Sequence, residues 1–373
     1  MSTFLQNRVQ ASNDLGFHLL SHLAENAAGT NVFISSLSIE IALAMTYIGA
    51  DGGAQKALAT VLGLGDSSLE ELNKANKALL ARQKSLDPET NLAIANSIWV
   101  ANGLTLDPGF VERIAEHYRG KVANIDFSDP SSAAKIINGW VAQETREKIT
   151  DLLTPSVLQD AILVLVNAIY FKGSWTHPFK KRQTSEKIFT LIDGTKKKLP
   201  MMTQSGKWRF YENDMFQGIV LPYGDEQASM HIILPRPDIA LDAFRKYFTL
   251  ERWNAWTQKS HRPIKGDISL PRFKARYKKD LVGDLVTLGG QGFIGAGFPG
   301  MGIGALRISH VIHEAVLEVN EEGAEAAAAT AVLMERSLSM DQFEMIVDRP
   351  FFCAIYDQET GAILFMGWIL DPE

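Results

Sequence analysis

The sequence predicts an α+β fold in a single domain spanning residues 1–373. Helical apolar spacing is concentrated in the first part of the chain, and strand-like apolar runs in the second. No Pro/Ser/Gly-rich linker divides the two, and no repeat of fixed period occurs. Helices grouped early and strands grouped late argue against a doubly wound parallel sheet, which alternates the two.

The early elements each have a local cause. Phe17 to Glu25 places Phe17, Leu20 and Ala24 on one helical face, and Ile39 to Ile48 is nearly all apolar behind Ser35-Ser36-Leu37-Ser38. Ser68 to Ser85 carries Glu71 three residues after Ser68, a capping-box pattern, followed by Leu72, Ala75 and Leu79 on one face. Asp129-Pro130 opens a further helix, with a capping side chain before a first-turn proline. Between these, Leu92 to Val100 reads as a strand. Ala161 to Phe171 is apolar almost throughout and stops at Lys172-Gly173, as expected of a strand buried on both faces. Gln217–Tyr223 and Ser229–Pro235 form a hairpin pattern, and Phe343–Tyr356 and Ala362–Ile369 form another.

Composition narrows the function. Apolar residues make up 46% and charged residues 21%, which fits a packed chain and not a disordered one. The 37 Lys+Arg against 43 Asp+Glu give a net charge of −6, spread along the chain, so neither nucleic acid nor an anionic membrane is expected as a partner. The longest apolar run is well short of the roughly 20 residues that a spanning helix needs. The single cysteine, Cys353, allows no intramolecular disulfide and no CxxC pair, and its apolar neighbours predict an inert core thiol. The first residues hold no basic start followed by an apolar stretch, so no export signal is expected in this chain. That leaves the compartment open between cytoplasm and secretion after loss of a leader.

The familiar chemical motifs fail one by one. His18 and His22 have helical i,i+4 spacing but no accompanying carboxylate or third ligand, so an exposed helix face is the better reading. His310 and His313 fall on a strand-like run, where an offset of three points them to opposite faces. Gly289 to Gly304 holds eight glycines, yet its GxGxG lacks the Lys-Ser/Thr and the strand–helix frame of a nucleotide site; a flexible loop is expected. No Gly-x-Ser-x-Gly elbow is present. Lys180–Arg182 and Lys196–Lys198 read as solvated surface. No cofactor and no metal is expected.

One stretch resists a bland reading. Ala324 to Arg336 would be an alanine-rich exposed helix on propensity alone, but it offers no sizeable apolar face and follows a strand at Val311 to Val319, with Gly323 at the junction. Small side chains have another use, as a mobile segment that enters a sheet without overpacking it. Thr330, Val332 and Leu333 add β preference farther along.

Here the chain resembles a serpin, from about Asn7 to Pro372. Val347–Ile355 is similar to the family's C-terminal signature, Asn31–Ser38 to the segment that controls opening of the central sheet, and Asn167–Trp175 to the strand and tryptophan beside the loop. His313–Gly323 leads into the loop as in inhibitory members. The resemblance implies one serpin-like domain of mixed β-sheets, surrounding helices and an exposed reactive-centre loop at about 321–342. The hinge and loop would comprise Glu321, Glu322, Gly323, Ala324, Glu325, Ala326, Ala327, Ala328, Ala329 and Thr330. Sheet opening would be controlled by Ser35, Ser38, Asn167 and His313, and Trp175 and Arg272 would stand where the loop enters.

The implied activity is suicide inhibition of a serine protease in a covalent 1:1 complex, with a monomeric inhibitor able to polymerise on heating. A target attacks the loop, the cut loop inserts as a new central strand, and the acyl-enzyme is dragged away before deacylation. Roughly ten or more new backbone hydrogen bonds at about 1 kcal/mol each would favour the inserted form. The protein would then be no enzyme. The family's usual count from Glu321 ends at Ser337 and a shorter loop ends at Arg336; arginine is the better fit to an Asp-bottomed pocket, which points to Arg336–Ser337 and a trypsin-like target. Met334 and Leu338 keep elastase- or chymotrypsin-like targets open, and cysteine proteases are a further alternative. A non-inhibitory serpin acting in binding or as a chaperone shares the fold but usually has bulky, charged or proline residues in the hinge, whereas Gly323–Thr330 carries none of these except Glu325. Glycosaminoglycan regulation is not expected, because Lys74, Lys77, Arg82 and Lys84 alternate with Glu70 and Glu71 along one helix.

Overall fold

The computed structural model describes residues 3–27, 29–85, 91–259, 262–289, 292, 297–302, 307–322 and 342–372. The early helices form where caps and apolar spacing coincide. Helix α1 (Thr3–Asn26) extends the expected Phe17 face back through Val9 and Leu15, which are buried. Helix α2 (Ser36–Gly49) is buried almost all round and is capped by Ser35, whose Oγ accepts from Ser38 N. Asp51 caps α3 (Gly52–Val61). At α4 (Leu69–Lys84) the expected capping box is present in both directions. Asp107 and Asp129 cap α5 (Pro108–Tyr118) and α6 (Pro130–Glu144), each followed by proline in the first turn. The short helices α7 (Leu241–Tyr247), α8 (Leu250–Thr257) and α9 (Val282–Thr287) come later. No helix among the described residues is long and apolar enough to cross a membrane.

Two sheets organise the described strands. In the first, β10 (Phe273–Asp280), β11 (His310–Val319), β4 (Leu163–Lys172), β2 (Asn91–Ala101) and β3 (Lys121–Ile125) lie side by side in that order. Strand β4 is central and buried on both faces, as its apolar run predicts. It pairs antiparallel with β2 and parallel with β11, the latter from His310↔Val164 to Leu317↔Phe171. One face of this sheet rests on the main core. The other packs Trp99, Val164, Val166, Ile312 and Val316 beneath Ile137 and Val141 of α6.

The second sheet runs in the order β1 (Val32–Ile34), β14 (Ile363–Ile369), β13 (Phe351–Asp357), β8 (Ala228–Pro235), β7 (Phe216–Tyr223), β6 (Lys196–Glu212), β9 (Pro263–Pro271) and β12 (Gln342–Ile346), with β5 (Ser185–Thr190) against β6. The β7–β8 hairpin is the expected one. The run Phe343–Tyr356 differs from its reading as one strand. It breaks at Val347–Pro350, where Pro350 has no N–H to donate and the Arg349 guanidinium bonds Pro235 O at 2.8 and 2.9 Å. Its first part joins β9 in parallel; its second lies between β8 and β14.

The glycine-rich segment also departs from a plain flexible loop in its described part. Phe298 and Met301 are fully buried, and Met301 O accepts from Asp107 N at 2.8 Å. Gly302 has φ of +86°, and a Cβ there would lie 2.6 Å from Asp107 N, so glycine is needed for this approach to α5.

Candidate functional site

The seam between β4 and β11 brings together all four residues expected to control sheet opening. Asn167 stands opposite His313 in the register of the two strands. Its amide is used completely: Oδ1 faces His313 Nδ1 at 2.6 Å, while Nδ2 donates to Ser38 Oγ and to Asn96 Oδ1, both at 2.5 Å. Ser35 N donates to His313 Nε2 at 3.4 Å. With an acceptor at Nδ1 and a donor at Nε2, the imidazole must carry its one proton on Nδ1. A second proton, on Nε2, would face the Ser35 N–H. Burial pushes His313 down to about 3, so it is neutral across the ordinary pH range. The cluster therefore ties α2, through Ser35 and Ser38, to β2, β4 and β11.

Asn96 was not among the expected residues. Its signal lay in the sequence: a lone asparagine inside the apolar strand Leu92–Val100, directly opposite Asn167 once β2 and β4 pair.

At one end of the seam the chain is fastened just before the loop. Trp175 Nε1 donates to Asn320 O at 2.7 Å, and its ring stacks on Tyr223 at 4.3 Å between centroids. Phe179 N donates to Glu321 O at 2.9 Å. The Glu321 carboxylate is buried and accepts from Arg272 Nη2 at 2.5 Å and from Thr184 Oγ1 at 2.7 Å. Burial by itself would raise that carboxyl, but Arg272 and Thr184 outweigh it and hold it below the usual range. The pair is asymmetric, since the Arg272 side chain remains 47% exposed and Glu321 only 2%. Thr184 is a second residue that sequence reasoning missed. Glu322 pairs with Lys181 at the surface.

The hinge residues Gly323 to Thr330 and the Arg336–Ser337 bond lie outside the described residues. The chain leaves the first sheet after β11 and returns at Gln342 in the second. The other chemical candidates are dispersed. His18 turns to Asp14 and His22 to Asp284, while His310 faces Asp280, away from the buried His313. Cys353 is fully buried on β13, where burial pushes its thiol up and removes it from reaction at neutral pH.

The family profile described as "Serpin (serine protease inhibitor)" matches residues 10–372. The chain belongs to the serpin family. Human glia-derived nexin is 33% identical, over 97% of this chain and 93% of the nexin. An uncharacterized serpin-like protein of the archaeon Methanosarcina mazei is 32% identical, over 97% of this chain and 87% of its own. Among solved structures, Arabidopsis AtSerpin1 in its native stressed conformation is similar with a TM-score of 0.89, at 27% identity, covering 100% of this chain and 99% of that one. Native protease nexin-1 with heparin is similar at a TM-score of 0.86 and 31% identity, covering 99% and 100% of the two chains. The serpin fold and the protease-inhibitor family expected from the motifs are thus both found, and serpins as a family inhibit proteases and are generally not catalysts.

Proposed function

We propose that this serpin is a single-use inhibitor of trypsin-like serine proteases, cut at Arg336–Ser337 and trapping its target by inserting the upstream half of the loop between β4 and β11. The observation that carries the reading is the direct parallel pairing of β11 with β4. A segment that follows β11 and folds back beside it runs antiparallel to β11, and therefore antiparallel to β4 as well. Insertion replaces one parallel pairing with two antiparallel ones, which pair somewhat better per residue. The driving force is thus built into the strand order. The alanines at 324, 326 and 328 add little volume on the face turned inward.

Arg336 supplies a guanidinium for an acidic specificity pocket, and the seryl-enzyme ester to its carbonyl would be the trapped species. The basic residues of α4 do not favour a glycosaminoglycan in this chain. Lys74 and Lys77 are paired with Glu70 and Glu116, and Arg82 is turned to Asp357 and Glu359. Incubation with trypsin, elastase, chymotrypsin and a papain-like protease, followed by denaturing gels, tests the proposal. A covalent band with trypsin is expected; a loop cut by every protease with no such band overturns it.

A further inference from the structure

The seam carries a side-chain bridge on the face opposite His313. Successive residues of β11 alternate between faces, so Val311, Ala315 and Leu317 pack in the main core while Ile312 and Val316 pack beneath α6. Glu318 belongs to the latter face. Its Oε2 accepts from Tyr170 Oη of β4 at 3.0 Å, and its Oε1 lies 3.2 Å from Lys274 Nζ of β10. Tyr170 is buried, and Lys148, in the segment after α6, sits 5.2 Å from the centre of its ring.

We propose that the Tyr170–Glu318 hydrogen bond is a latch that sets the rate at which a strand enters between β4 and β11; this rests on the loop-insertion reading. Strands β10 and β11 share an eight-residue antiparallel register and are also bridged by Arg276–Glu314 and Lys274–Glu318, so they move away from β4 as one unit. Tyr170–Glu318 crosses the line of parting, and Lys274–Glu318 does not. A new strand would push β4 and β11 apart by one further strand spacing, about 4.8 Å, which no hydrogen bond survives. Position decides the order of events. Asn167–His313 lies near the middle of the register, whereas Tyr170–Glu318 lies toward the end from which Asn320 to Glu322 lead into the loop. Past the fastening at Asn320 and Glu321, a strand entering from that end meets Tyr170–Glu318 before Asn167–His313. The bond joins a hydroxyl to a carboxylate, the stronger kind of hydrogen bond.

The test needs no protease. A synthetic peptide with the sequence of residues 323–336 is incubated with the intact protein, and the rate of 1:1 annealing is followed on native gels and by mass spectrometry. Tyr170→Phe should anneal about fivefold faster than wild type, and Glu318→Ala should be faster too. Lys274→Met, which leaves the crossing bond in place, should stay near the wild-type rate. In the Glu318→Ala background, Tyr170→Phe should add nothing. Equal rates for Tyr170→Phe and wild type, equal acceleration by Lys274→Met, an undiminished effect in the double variant, or no annealing by any folded variant would each overturn the latch. Should Tyr170→Phe not fold, Glu318→Ala carries the same expectation alone. Annealing that follows these rates without any trapped protease would keep the latch and remove the protease reading, whereas trapping with equal annealing rates would remove the latch alone.

Discussion

His313 Nδ1 lies 2.6 Å from Asn167 Oδ1, and the two residues stand directly opposite across the parallel pairing of β11 and β4. Removing the imidazole leaves Asn167 Oδ1 and the Ser35 N–H without their partner in a dry interior, at about 1–3 kcal/mol. His313→Ala should therefore lower the thermal midpoint and speed conversion to polymer or a latent form on mild heating. Native gels of variant and wild type, heated together, measure this; equal rates of monomer loss would remove the cluster's role.

The same histidine predicts a pH dependence with a definite sign. In the unfolded chain it titrates near 6.5, and in the fold at about 3 because it is buried. Between those values the unfolded state binds a proton that the fold excludes. The stability contributed by neutral His313 is complete above about pH 6.5 and is lost as pH falls toward 3, by roughly 1.4 kcal/mol per unit. Glu40, which burial raises despite Arg8, contributes with the opposite sign, so the informative quantity is a difference. The drop in thermal midpoint from pH 7.5 to pH 5 should be smaller in His313→Gln than in wild type. Parallel curves would contradict the assignment.

Arg336 is expected to decide which protease is trapped. Arg336→Ala should abolish the SDS-stable complex with trypsin while leaving the thermal midpoint of the intact protein unchanged. If trapping persists, mass spectrometry of the released C-terminal peptide identifies the bond actually cut.

Alternation in the inserting segment separates two neighbouring positions. Ala324→Arg would carry a charge to the buried face at the first step of insertion, at several kcal/mol, and should turn the inhibitor into a substrate. Glu325→Arg, on the other face, should do far less. Cleaved wild type should also melt well above the intact protein. Equal inhibitory stoichiometries for the two variants, with no rise in melting temperature on cleavage, would favour a non-inhibitory member of the fold.

Much was legible because its causes are local. The capping box at Ser68 and Glu71, the Asp129-Pro130 start of α6, the doubly buried run of β4 and the β7–β8 hairpin follow from a few adjacent residues each. The family motifs also singled out Ser35, Ser38, Asn167 and His313, which meet in one buried cluster, and Trp175 and Arg272, which bond Asn320 and Glu321. The run from Phe343 to Tyr356 misled because one apolar segment can serve two strands with different neighbours, and only Pro350 hints at the break.

By itself, then, the sequence determined the α+β class and those helices and strands whose causes are local, since periodicity and capping act over short distances. Tertiary structure alone decided which strands are neighbours and which polar groups meet between them. Asn96 becomes a partner of Asn167 only when β2 lies against β4, Thr184 reaches Glu321 across 137 positions of chain, and Tyr170 reaches Glu318 across 148. A hydrogen bond requires its two atoms within about 3 Å, and proximity between residues so far apart in the chain is set by the packing of the whole sheet, not by any stretch of residues read alone.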